Sequence, residues 1–137
     1  MKIKEVMRPV RTIAPNSNIK EAAKLMTKYS IGSLVVVEED KKNPHSKKVL
    51  GILTERDVLM KVVAEGKSSE KVSVEEIMTF KLITISPDAY IDDAVFLMMQ
   101  HKIKKLPVLD GDTLVGIITS TDIVANSEDV GEFYLLE

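Results

Sequence analysis

Gly51-Ile52-Leu53-Thr54-Glu55-Arg56-Asp57 and Gly116-Ile117-Ile118-Thr119-Ser120-Thr121-Asp122 are one pattern written twice. In each copy a glycine opens an apolar stretch, a threonine closes it, and an aspartate follows three residues later at the head of an amphipathic run. The spacing predicts a strand that passes directly into a helix. Thr and Asp so placed share the first helical turn, where unpaired backbone N–H groups and the positive end of the helix dipole attract an anionic ligand. The same residues also make a capping box, in which the helix satisfies its own first N–H groups. A lone T-x-x-D is more often only such a cap; recurrence in register with the flanking sequence strengthens the case for a ligand site, and on the residues alone both readings stay open.

Outward from these corners the whole chain repeats. Val6-Met7 matches Ile77-Met78, and Thr12-Ile13-Ala14-Pro15 matches Thr84-Ile85-Ser86-Pro87. Ile19, Ala22 and Met26 match Ile91, Ala94 and Met98, and Ile31, Leu34 and Val36 match Ile103, Leu106 and Val108. A self-match of roughly fifty residues is long enough to be a structural unit. The expected boundaries are 1–66 for the first repeat, 67–73 for a polar linker, 74–126 for the second repeat and 127–137 for an acidic tail.

Each repeat reads β-α-β-β-α. Thr12 to Ala14 is a short extended piece closed by Pro15, which disfavours helix in the residue before it. Asn18 with Glu21 forms an N-cap pair, and Ile19, Ala22, Ala23, Met26 and Tyr29 recur at helical spacing, so a helix covers about 19 to 30. Ser33 to Val37 is near-continuously apolar, as in a strand buried on both faces. Glu38 to Lys48 is expected to be a solvated hairpin loop, Val49 to Thr54 a returning strand, and Asp57 to Glu65 a helix ended by Gly66. In the second copy Ile83 to Ile85, Ile91 to His101, Lys105 to Leu109 and Thr113 to Thr119 take the same places. Tyr90 stands where Asn18 caps the first copy, so that side-chain cap is lost. A repeat of about 55 residues is marginal as a core of its own. The expectation is therefore an α/β (α+β) fold of two repeats packed about a pseudo-twofold axis, with a cleft for each repeat at its T-x-x-D turn.

Composition narrows the function. The chain has 137 residues, 45% apolar and 29% charged, which is a globular balance. Its net charge of −2 gives no general attraction to nucleic acid or to a membrane surface, so an anion site must be local. Without cysteine there is neither a disulfide framework nor a Cys-based zinc site. The apolar runs are far shorter than the ~18 residues that span a bilayer, and no signal-peptide pattern follows Met1, so a cytoplasmic protein is expected. Phosphate-loop chemistry is unsupported, because Ile117-Ile118 follow Gly111 and Gly116 where Lys and Ser or Thr are needed. His45 in a charged segment and His101 at a helix end make neither a catalytic base nor a metal site credible. Phe133 and Tyr134 in the tail are expected to dock on the body or on a second chain.

With the G-h-h-T-x-x-D pair, the two T-I-x-P segments and His101-Lys102-Ile103-Lys104-Lys105-Leu106-Pro107-Val108 in view, residues 3 to 125 resemble a tandem pair of CBS domains, a Bateman module. The resemblance implies a non-enzymatic regulatory module that binds AMP, ADP, ATP, S-adenosylmethionine or a related adenosine ligand, forms a homodimer and signals to a regulated protein whose identity the sequence does not carry. By position, Asp57 and Asp122 would accept hydrogen bonds from ribose hydroxyls, and Thr54 and Thr119 would contact ribose or α-phosphate. Ile13 and Ile85 would frame adenine. Lys102, Lys104, Lys105 and Arg56 would supply charge to phosphate, with Thr121 standing in the second repeat where Arg56 stands in the first, so the two sites are expected to be unequal. No covalent cofactor and no metal are implied. Two alternatives remain: a ligand-free dimerisation module in which the turns are only caps, and a weak nucleic-acid binder working through Lys102, Lys104 and Lys105, with steep salt dependence.

Overall fold

A computed structural model describes residues 1–126, the side chains of residues 44–46 excepted. The tail expected to dock lies outside the described residues. The chain forms two compact units: Arg11–Leu82, here the Thr54 unit, and Met1–Val10 with the described part of Ile83–Glu137, here the Thr119 unit. Mixed α/β structure with one repeat pattern in each unit is what the sequence predicts.

In the Thr54 unit, β1 (Thr12–Ile13), β2 (Ser33–Asp40) and β3 (Asn43–Thr54) form a sheet in the order β1-β2-β3. β1 runs parallel to β2, and β3 returns antiparallel. Ser33 to Val37 is buried throughout, as expected of a strand covered on both faces. The predicted loop over Glu38 to Lys48 is a correction: both strands continue through it, pairing Glu38 with Lys48 and Glu39 with Lys47. An acidic run, Glu38 to Asp40, followed by the basic Lys47 and Lys48 suits an exposed hairpin as well as a loop, because opposite charges face each other across the ladder.

α2 (Ile19–Tyr29) begins as predicted, with Asn18 accepting a hydrogen bond from the Glu21 N–H at 2.9 Å. Its inward residues Ile19, Ala22 and Met26 meet Leu34, Val36 and Leu53 in one core. After β3 the chain enters α3 (Glu55–Val58) and continues as a π-helical turn, Leu59–Val63, rather than as a regular α-helix. The wider turn buries Val62 and leaves Leu59, Met60 and Val63 exposed. Gly66 then takes the left-handed conformation at φ +66°, as a residue ending this run requires.

The Thr119 unit repeats this plan with one strand fewer. α5 (Ile91–His101) packs Ala94 and Met98 against Leu106, Val108 and Ile118. β4 (Lys105–Asp110) and β5 (Thr113–Thr119) form a two-stranded sheet, and α6 (Ser120–Ala125) follows. The expected strand at Ile83 to Ile85 is reduced to a single parallel bridge, Ile85 to Val108. Pro107 is the cause. Its counterpart Val35 donates its N–H to the Arg11 carbonyl at 3.0 Å, and proline has no N–H to give. The side-chain cap at Tyr90 is absent, as read, but Asp93 accepts the Tyr90 N–H at 2.8 Å and restores half of the box.

The first helix of each repeat belongs to the other repeat's unit. α1 (Ile3–Val6) is tied into the Thr119 unit by the Ile3 N–H to the Ala89 carbonyl and the Lys4 N–H to the Pro87 carbonyl. α4 (Val74–Ile77) is tied into the Thr54 unit by the equivalent pair, Val74 to Ser17 and Glu75 to Pro15. Beyond each helix an isolated bridge fixes the chain against the strand that leads to the corner, Arg8 to Ile117 and Thr79 to Ile52.

Candidate functional site

The glycine in each pattern is needed for that bridge. A Cβ on Gly51 would lie 2.7 Å from the Thr79 carbonyl oxygen, and one on Gly116 would lie 2.9 Å from that of Arg8. Just before each glycine the antiparallel register skips one residue, Leu50 in one sheet and Val115 in the other. Such a bulge sharpens the local twist and aims the end of the strand. Thr54 and Thr119 then leave the sheet in extended conformation as N-caps.

Both corners are complete capping boxes. The Asp57 N–H donates to Thr54 Oγ1 at 3.1 Å, while Asp57 Oδ2 accepts from the Thr54 N–H at 3.0 Å and from its hydroxyl at 3.1 Å. At the other corner the Asp122 N–H donates to Thr119 Oγ1 at 3.2 Å, and Asp122 Oδ2 accepts from the Thr119 N–H at 3.0 Å and its hydroxyl at 2.9 Å. Asp57 and Asp122 are buried, with 8% and 2% of their surface exposed, so their remaining oxygens need partners. Those partners are cations. Lys61 Nζ stands 3.1 Å from Asp57 Oδ1, and Arg8 Nε is paired with Asp122 Oδ1.

Sequence reasoning missed both cations. Lys61 lies one helical turn after Asp57, an i,i+4 spacing that was available to read. Arg8 is far away in sequence, and only its place beside the bridge to Ile117 brings it in.

The residues that the resemblance assigns to the two sites fall out unevenly. Lys105 lies opposite Thr119 in the β4–β5 register, and the Lys104 carbonyl accepts the Ser120 N–H at 2.9 Å, so both flank the second corner. At the first corner Ser33 and Gly32 hold those positions. Lys102 is one residue past α5 in the left-handed conformation, φ 55°, where it ends the helix. Arg56 is exposed, with its Nε 3.2 Å from Met60 Sδ. Thr121 is exposed on the first turn of α6. Ile13 and Ile85 are each 6% exposed and pack in the two cores. In the Thr54 unit an open cleft of about 530 Å³ lies beside the corner, lined by Met26, Ile31, Gly32, Glu55 and Val58 among others. Of the T-x-x-D turn it includes Glu55, not Thr54 or Asp57. Among the described residues no cluster of His, Cys, Asp and Glu suits a metal ion, and no helix is long and apolar enough to cross a membrane.

Two copies of a strand-to-helix corner, each crossed by a segment borrowed from the other repeat, define a tandem-repeat α/β domain. The family model of the CBS domain matches residues 3–64 and 74–129, and the chain belongs to that family as a tandem pair. It is 36% identical over 117 residues to the CBS domain-containing protein YhcV of Bacillus subtilis, covering 85% of this chain and 78% of YhcV. Several other curated relatives are longer, and the chain spans 52–65% of three of them. A signal-transduction protein with CBS domains from Burkholderia ambifaria superposes with a TM-score of 0.82 at 36% identity, over 91% of this chain and 92% of that one. The CBS domain pair of protein MJ0100, whose crystal contains 5′-methylthioadenosine and S-adenosyl-L-methionine, superposes with a TM-score of 0.76 at 34% identity, over 90% and 92%.

Proposed function

We propose that this CBS pair is a non-enzymatic regulatory module that binds an adenosine-containing ligand at its threonine–aspartate corners and passes the bound state to a partner protein. The observation that carries the reading is the buried carboxylate of each corner. One oxygen is filled by its own threonine, and the other is shared with a cation whose side chain is 46% exposed for Lys61 and 67% for Arg8. A carboxylate has about four acceptor positions, so Oδ1 keeps room for a ribose hydroxyl. The ligands in the MJ0100 crystal are of the same chemical class.

Thr54 and Thr119 are assigned to the sugar or the first phosphate. Lys104 and Lys105, flanking the Thr119 corner, are assigned to phosphate charge, with Lys102 and Arg56 further out. Ile13 and Ile85 take part through the shape of the core beneath adenine. Thr121 adds a hydroxyl at the second corner. Exposed Leu59, Met60 and Val63 in one unit, and Phe96 and Met99 in the other, are apolar surface that self-association would cover.

Isothermal titration with AMP, ATP and S-adenosylmethionine tests the assignment on wild type and on an Asp57→Asn, Asp122→Asn double variant. The expected result is binding that the double variant loses, with wild type stabilised by about 2.7 kcal/mol at a ligand concentration 100 times Kd. The complete capping boxes favour a rival reading in which the corners are only structural. No shift in melting temperature with any adenosine compound would establish that rival.

A further inference from the structure

The two buried carboxylates receive their cations from opposite directions. Through the repeat, Arg8 aligns with Thr79 and Lys61 aligns with Asn126. At the Thr119 corner the crossing segment brings the charge, while the helix position is neutral: Arg8 pairs with Asp122, and Asn126 Nδ2 donates to the Asp122 carbonyl at 2.7 Å. At the Thr54 corner the roles reverse. Thr79 Oγ1 is 3.4 Å from Asp57 Oδ1, and the helix supplies Lys61. Each corner therefore has one cation on Oδ1, and the two cations differ in chemistry and in how firmly the protein holds them.

We propose that Arg8 and Lys61 determine the charge of the adenosine compound each corner accepts, and that Arg8 makes the Thr119 corner the phosphate-selective one. The proposal rests on the adenosine reading above and adds to it which side chains discriminate. Ribose hydroxyls donating to Oδ1 replace part of what the cation gives the carboxylate, and the cation is then the charged group nearest the sugar. Arg8 has 67% of its side chain exposed and meets Asp122 through Nε, so its planar fork can swing to a phosphate and bind it with two donors. Lys61 is 46% exposed and already donates to both Asp57 Oδ1 and the Ile77 carbonyl, the latter at 2.9 Å. With two of three N–H groups committed, it follows a phosphate less freely. Lys104 and Lys105 beside the Thr119 corner add to the same preference.

The test is calorimetric titration of the full chain with AMP, adenosine and 5′-methylthioadenosine, in wild type, Arg8→Gln, Arg8→Lys and Lys61→Gln. Arg8→Gln is expected to lower the ratio of AMP to adenosine affinity by about tenfold and Lys61→Gln by about threefold, since charge-assisted contacts are the strong ones. The readout is the ratio and not either affinity alone, because removing a cation from Oδ1 also changes how the carboxylate meets the ribose of the two uncharged compounds. Arg8→Lys, which keeps Asp122 paired, should recover part of the ratio and keeps the experiment readable if Arg8→Gln does not fold. An unchanged ratio in every variant, with AMP still bound by wild type, overturns the assignment of Arg8 and Lys61 and leaves the adenosine reading standing. Wild type that binds none of the three compounds overturns the charge assignment, and the adenosine reading falls with it when ATP and S-adenosylmethionine also fail to bind.

Discussion

The Thr54 and Thr119 corners share their glycine, bulge, threonine, aspartate and three hydrogen bonds, yet almost every charge around them differs. What is common is what the backbone demands: room for a crossing segment at Gly51 and Gly116, and satisfaction of the first N–H groups of a helix. What differs is the supply of positive charge, from Lys61 in one unit and from Arg8 with its lysine neighbours in the other. Identical scaffolding thus carries two electrostatically distinct sites, and the sheet beneath differs as well, because Pro107 removes a strand from one of them.

The largest effects should come from the cores. Leu34 and Leu106 are equivalent and fully buried, so replacing either by Ala should cost about 2–5 kcal/mol in urea denaturation. Equal costs would show that the missing strand leaves packing around Leu106 as tight as around Leu34. Next, Gly51→Ala and Gly116→Ala force a methyl group against backbone oxygen, at a cost of about 1–3 kcal/mol each in thermal or urea unfolding. Gly51, with the closer approach, should be the more sensitive, and an Ala variant as stable as wild type would break the claim that the crossing segment requires glycine.

Removing a cap is a smaller change. Thr54→Ala and Thr119→Ala should each lose about 1 kcal/mol by the same denaturation assay. A markedly larger loss at either corner would show that its threonine also organises the buried ion pair. Smallest of all, Pro107→Val supplies an N–H opposite the Ile83 carbonyl, with a net stability change of about 1 kcal/mol or less. Its signature is slow hydrogen exchange of the new amide at position 107; fast exchange would mean that something other than proline withholds the third strand.

Much of this was legible in the residues. The repeat was plain from T-I-x-P, from the apolar spacing of Ile19, Ala22 and Met26, and from the doubled corner, because these encode local geometry that recurs wherever the backbone recurs. The Glu38 to Lys48 segment extends the two strands rather than looping between them, and its run of mixed charge is compatible with a loop and with an exposed ladder. The exchange of α1 and α4 left no local signal, for a helix of four residues has an apolar side whichever repeat it covers. At the site, the Thr–Asp pairs were found as pairs, and the cap they form was one of the readings left open. Arg8 was invisible because its partner lies more than a hundred residues onward. Lys61 was visible at i,i+4 and overlooked in favour of exposed lysines near a family motif.

The exchange of the short helices fixes an order of events in synthesis. Residues 11–82 make up one whole unit, and all of it is synthesised before residue 83. Ile3 and Arg8 emerge ahead of that unit but have nothing to fold onto until Ile117 and Asp122 leave the ribosome, a wait of roughly 5–20 seconds at ordinary translation speed. Residues made early are thus among the last of the described residues to find their places, and a change within residues 1–10 would burden the Thr119 unit, made long after them, rather than the unit beside them in sequence.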